Sequence, residues 1–153
     1  MITIAFATET GNAQDLAEET QNRLYGRGFE SRVIDIEDLK FEDLREIESF
    51  IAIVSTWGDG EPPMAASDFY EAFRGADPME LEQTSFAVLA LGDTAYELFC
   101  QFGKDIDSEL ERHGAKRMMQ RLDCDLDFED HFDGWVDDLL KALESRGATA
   151  AIA

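Results

Sequence analysis

Five short apolar runs, each followed by a stretch of helical periodicity, constrain this chain more than any other feature of its sequence. The runs are Ile2–Phe6, Arg32–Ile36, Phe50–Ser55, Phe86–Leu91 and Lys116–Leu122. The third and fourth are nearly continuous in apolar residues, the pattern of strands buried on both faces. The fifth is more polar and suits a sheet edge. Between the runs, apolar side chains recur at spacings of three and four, which puts them on one helix face. The sets are Ala13, Leu16, Ala17, Thr20 and Leu24; Ala65, Ala66, Phe69, Ala72 and Phe73; Phe99, Phe102, Ile106 and Leu110; and Phe132, Trp135, Val136, Leu139 and Leu143. Gly26 and Gly28, Gly75 and Gly114 close the first three sets, as helix-ending glycines do. Leu39, Leu44 and Ile47 suggest a further short helix before the third strand. Alternation of this kind gives five βα units. Right-handed crossovers fold them into a parallel sheet with helices on both faces, an α/β fold of three layers.

A chain of 153 residues is one domain by length, here residues 1–146, with residues 147–153 expected to fray. Hydrophobic residues make up 44%, which excludes a disordered chain despite a net charge of −21. That charge excludes nucleic acid and anionic membrane surfaces as partners, because their phosphates repel it. It favours steering toward a basic partner. No apolar run approaches the ~20 residues that span a bilayer. Met1–Phe6 has no basic region of the kind that opens a secretory signal, so a cytoplasmic location is expected. Cys100 and Cys124 are the only cysteines, and His113 and His131 the only histidines. Neither a disulfide nor a metal site is expected from them; free thiols are.

In open sheets of this class, ligands sit beyond the carboxyl ends of the strands, where the strand order reverses. The loops after strands one, three and four therefore matter most. The first, Thr8-Glu9-Thr10-Gly11-Asn12-Ala13, leads two hydroxyls, a glycine and an amide into a helix start, and no Lys or Arg precedes Arg23. Free N–H groups there suit an anion, although Thr8 or Thr10 could equally serve as an ordinary helix cap. The second, Ser55-Thr56-Trp57-Gly58-Asp59-Gly60-Glu61-Pro62-Pro63, places a large aromatic among glycines and prolines. Trp57 suits either stacking on a planar ring or packing over the core rim. The third, Leu91-Gly92-Asp93-Thr94-Ala95-Tyr96-Glu97-Leu98-Phe99-Cys100, offers a second aromatic plane in Tyr96. Asp93 and the turn's N–H groups could bond a heterocycle's edge. Two aromatics and an anion cradle converging on one switch point indicate a ring-bearing monophosphate.

The stretches Thr8–Ala13, Ser55–Pro63 with Phe69-Tyr70, Leu91–Lys104 and Asp123–Glu129 running to Trp135 carry a resemblance. The sequence resembles the flavodoxin-like FMN domains of the diflavin reductase family, and within it most nearly the flavodoxin domain of sulfite reductase flavoproteins. The resemblance implies five parallel strands in the order 2-1-3-4-5. It implies FMN as cofactor, with Thr8, Glu9, Thr10, Gly11, Asn12 and Ala13 at its phosphate. Trp57 and Tyr96 would sandwich the isoalloxazine. Ser55, Thr56 and Gly58 would line the ring, with Gly58 near flavin N5. Leu91, Gly92, Asp93, Phe99 and Cys100 would complete the pocket. Two positions depart from the family's habit: Glu9, where Gln is frequent, and Trp57, where Tyr or a polar residue is. The fifth strand leaves no room for the insertion of long-chain flavodoxins. The likeness is to the FMN domain alone, without FAD or nicotinamide domains.

A flavin with both faces covered points to an electron carrier rather than an enzyme acting on a bound substrate. The expected partners are basic-faced redox proteins: an NAD(P)H-dependent flavin reductase as donor and a haem or iron–sulfur protein as acceptor. A monomer is expected, with Asp59, Glu61, Glu97, Asp125, Asp127 and Glu129 as the docking rim. The alternative is an FMN-dependent quinone or NAD(P)H oxidoreductase, which needs open space over the flavin. A phospho-acceptor signalling domain fits less well: Ser55-Thr56-Trp57 follows strand three in place of an acidic site, and acids rather than a lysine follow strand five.

Overall fold

The computed structural model describes residues 1–146. The tail expected to fray lies outside them. The elements run β1 (Ile2–Ala7), α1 (Asn12–Tyr25), β2 (Ser31–Asp35), β3 (Ser49–Ser55), α2 (Ser67–Gly75), β4 (Ser85–Leu91), α3 (Gln101–Arg112), β5 (Lys116–Arg117), β6 (Leu122–Cys124) and α4 (Glu129–Ser145). All pairings between these strands are parallel, in the order β2-β1-β3-β4-β5, with β6 also on β4.

The alternating side-chain directions of the central strands build two cores. Ile51 and Ile53 of β3 join Ile4 and Phe6 of β1 and Leu89 of β4 on one face. There they meet Leu16 of α1 and Trp135, Val136 and Leu139 of α4. Ala52 and Val54, one residue out of phase, join Ala5 and Val88 on the other face, against Phe73 of α2 and Phe102 and Ile106 of α3. All seven residues of β4 are buried, as its unbroken apolar run requires.

Three expectations are corrected. The fifth edge position is not one strand over Lys116–Leu122 but two short pieces, β5 and β6, on the same neighbour. Arg117 and Arg121 account for the break: both turn their guanidiniums to Asp107 on α3, at 2.9 and 3.0 Å, and Arg121 also pairs with Asp123 at 2.7 Å. The short helix before β3 is instead two 3-10 turns, Ile36–Asp38 and Phe41–Glu46, so three of the four crossovers carry an α-helix, and α4 follows the last strand. Helix α3 starts at Gln101 rather than Phe99, because Cys100 takes a left-handed backbone conformation (φ 54°).

The register aligns the ends that matter. Ala7 pairs with Val54, and Ser55 with Leu91. Strands β1, β3 and β4 thus finish at one level, and their three following loops leave the sheet side by side.

Candidate functional site

The three loops enclose a cleft at the carboxyl edge of the sheet. Glu9, Thr10 and Asn12 form one end; Ser55, Thr56, Trp57 and Gly58 form one side; Leu91, Gly92, Asp93, Tyr96, Phe99 and Cys100 form the other and the floor. Thirteen of the sixteen residues expected at the cofactor are therefore brought together. Thr8, Gly11 and Ala13 are not on the wall. Thr8 turns its hydroxyl to accept the Gly11 N–H at 2.9 Å, and Ala13 is buried under the helix. Three further lining residues, Leu98, Leu126 and Phe128, were not anticipated.

The first loop ends in Gly11, which enters α1 at φ 94° with no side-chain cap. Asp15 N–H is the first to find a helical acceptor, on Gly11. The N–H groups of Asn12, Ala13 and Gln14 have no protein acceptor among the described residues. Thr8 thus shapes the turn while the helix keeps its first donors open, with the helix dipole's positive end behind them. No Lys or Arg lines the cleft.

The second loop closes on itself. Trp57 N–H donates to Glu61 O at 2.7 Å, and Glu61 N–H to Trp57 O at 2.9 Å. Thr56 is committed at both ends: its N–H donates to Leu91 O (3.0 Å), and its hydroxyl accepts the Phe102 N–H (3.0 Å). That hydroxyl caps α3, a contact of about 1 kcal/mol.

The third loop is held from inside and from its neighbour. Asp93 Oδ1 accepts the Ala95 N–H at 2.8 Å, so this carboxylate ties its own turn. Asp125 receives the Thr94 N–H (3.1 Å), the Thr94 hydroxyl (2.5 Å) and the Leu126 N–H (2.8 Å). These bonds hold the Asp125 carboxyl below the usual carboxylate range, the Thr94 hydroxyl contributing most. A residue expected on a docking rim is thus also the strut between the third loop and the one after β6. Asp127 lies 3.2 Å from His131 Nε2, whereas Asp59, Glu61, Glu97 and Glu129 are exposed.

On the cleft's sides, Trp57 and Tyr96 stand 51% and 49% exposed. Half of each aromatic surface faces solvent, which leaves room for a planar ring between loops that already order themselves. At the other end, uncharged donors meet the needs of a phosphate monoester. The residues present therefore fit FMN.

Comparison with known proteins agrees. The family model described as Flavodoxin matches residues 4–135. The chain belongs to the flavodoxin family. Flavodoxins are FMN-binding electron carriers, and this chain is a carrier of that kind, homologous to the flavodoxin module of sulfite reductase flavoproteins. It is 41% identical over 150 residues to the sulfite reductase [NADPH] flavoprotein alpha-component of Bacillus subtilis (strain 168), covering 98% of this chain and 25% of that protein. It is 37% identical over 146 residues to the same component of Buchnera aphidicola, covering 95% of this chain and 24% of that protein. The chain thus spans about a quarter of the length of these relatives. Among solved structures, a mutant flavodoxin from Pseudomonas aeruginosa superposes with a TM-score of 0.80 at 23% identity, covering 94% of this chain and 98% of that one. A Streptococcus pneumonia TIGR4 flavodoxin gives 0.78 at 26%, covering 92% and 97%. Both are likenesses of fold. No helix of the described residues is long and apolar enough to cross a membrane.

Proposed function

We propose that FMN lies in this cleft with its ring between Trp57 and Tyr96 and its phosphate at the start of α1, and that electrons pass one at a time through the exposed edge. The observation that carries this reading is the pairing of two half-exposed aromatics, on loops from different strands, with three open helix N–H groups at the cleft's end. When bound, FMN supplies the one-electron redox chemistry. Thr10, Asn12 and the N–H groups of Asn12, Ala13 and Gln14 bind the phosphate. Trp57 and Tyr96 orient the ring and keep water from its faces. Gly58, Leu91, Gly92, Phe99 and Cys100 fill in around it. The acids on the cleft and its rim oppose added negative charge there, which lowers the potential at which electrons are accepted.

The electrons come from a basic-faced NAD(P)H-dependent flavin reductase and go to a haem or iron–sulfur protein. The naming of the relatives as NADPH sulfite reductase components supports such a system. The net charge of −21 supports docking by steering, with Asp59, Glu61, Glu97 and Glu129 as the free rim, Asp127 beside His131 and Asp125 behind them. The chain acts as a cytoplasmic monomer.

The test is a titration of flavin-free protein with FMN and with riboflavin, followed by flavin fluorescence. Charge-assisted hydrogen bonds to the phosphate should make FMN bind at least about 100-fold more tightly. Equal affinities would contradict the assignment of the first loop.

A further inference from the structure

Glu9 is the only charged residue of the first loop, and it lines the cleft beside Thr10 and Asn12. Its carboxylate accepts the N–H of Met64 at 2.5 Å. Met64 follows Pro63, where the Trp57 loop turns toward α2. The contact clamps the first loop to the second. The clamp needs an acceptor oxygen at this position, but it does not need a charge, since a glutamine offers the same oxygen. No cation offsets the charge either. The nearest basic residue along the chain, Arg23, is taken by Glu19 at 2.9 Å and Asp133 at 2.7 Å. Glu9 itself has no ion-pair partner among the described residues. The other carboxylate on the cleft wall, Asp93, is bonded to the Ala95 N–H. The clamp therefore leaves the negative charge of Glu9 unexplained.

A phosphate monoester carries close to two negative charges at neutral pH. At the end of the cleft it meets open N–H groups that attract it and one uncompensated carboxylate that repels it. We propose that Glu9 is a specificity-determining residue whose charge, separately from its clamp, weakens the hold on the phosphate and narrows the preference for FMN over riboflavin. This rests on the placement of the phosphate at the first loop proposed above. It assigns Glu9 the opposite sign of effect from every other group there: the N–H donors raise discrimination by phosphate, and Glu9 lowers it.

The experiment compares native protein, Glu9→Gln and Glu18→Gln, each freed of flavin and titrated with FMN and with riboflavin at low and high ionic strength. Glu18 is exposed on α1 and controls for bulk charge. Glu9→Gln keeps the acceptor for Met64. It should bind FMN about tenfold more tightly, the effect of one like charge on the wall of the same partly exposed cleft, with riboflavin affinity moved by less than about twofold. Glu18→Gln should leave both affinities near native. Salt should strengthen FMN binding to the native chain, as it screens the repulsion, and do so less in Glu9→Gln. The salt series needs no variant, so it also tests the repulsion in the native fold. Unchanged or weaker FMN binding by Glu9→Gln would overturn the proposal. So would an equal gain from Glu18→Gln, or FMN binding to native protein that weakens with salt. Equal FMN and riboflavin affinities in the native protein would instead remove the phosphate placement on which the proposal rests.

Discussion

Cys100 stands at the floor of the cleft in a left-handed conformation that side-chain-bearing residues seldom adopt, at roughly 1–2 kcal/mol. The surroundings hold it there. A Cβ on Gly92 would come within 2.9 Å of both Cys100 N and Cys100 Sγ, so only glycine lets the third loop approach this closely. The Cys100 thiol is fully buried and reaches the carbonyls of Ala90 and Cys124, each at 3.6 Å. Burial pushes its pKa up to about 12, with the negative charge of Asp123 adding to the effect. Burial likewise pushes Cys124 up to about 11. Both groups stay protonated near neutral pH, and the thiolate is the reactive form. In the folded protein at pH 8, neither cysteine should react measurably with a disulfide reagent such as DTNB over minutes, whereas both should react at once in denaturant. Rapid labelling of folded protein would show that the floor of the cleft is open. The same scale shows what the sequence concealed. Thr8, Thr56 and Asp93 are of types that suit a phosphate or a heterocycle, and Thr8 equally suits a helix cap. In the fold they bond Gly11, Phe102 and Ala95, partners that only the folded backbone supplies.

Loops become sites when elements hold them, and here the elements were more legible than the contacts between them. Continuous apolar runs at Phe50–Ser55 and Phe86–Leu91 marked buried strands, because a strand covered on both faces has no polar face to show. The edge was harder to read: Lys116–Leu122 has one strand's length but is split by arginines paired to α3 and Asp123. Leu126 and Phe128 do not stand out in the sequence, because they alternate with acids in a segment that looks like solvated surface. Their apolar character amid Asp125, Asp127 and Glu129 was the available signal. Asp125 is where this segment grips the third loop. Its carboxyl is held low by the Thr94 hydroxyl and the N–H groups of Leu126 and Thr94. A carboxyl lowered on folding stabilises above its unfolded pKa, and that contribution fades as pH falls through its folded value. The strut should therefore be complete at neutral pH and release only in acid. Followed by NMR, the Asp125 carboxyl should titrate below the usual aspartate range, with the Thr94 amide shifting in step. Titration at the usual aspartate value, or a Thr94 amide indifferent to it, would contradict the strut.

At the scale of the molecule, 34 acids against 13 Lys and Arg make a field that a basic partner feels before contact. The field alone does not say where the partner lands. That depends on whether charges near the cleft act apart from those on the backs of helices. Neutralising Asp59, Glu61 and Glu97 should slow electron transfer to a basic acceptor at low salt more than neutralising Asp15, Glu18 and Glu19. The difference should shrink as salt shortens the Debye length below ~10 Å. Stopped-flow reduction of the acceptor would measure both sets, and equal effects would assign steering to net charge rather than to a rim. The central claim remains the ring's place between two aromatics on separate loops. Its most direct measurement is FMN binding and flavin fluorescence in the native chain and in Trp57→Ala. The native chain should bind one FMN and quench its fluorescence strongly. Trp57→Ala should bind it about tenfold or more weakly, in line with the loss of about 1–3 kcal/mol of aromatic stacking, and should recover part of the fluorescence. Unchanged affinity with unchanged quenching would place the ring elsewhere.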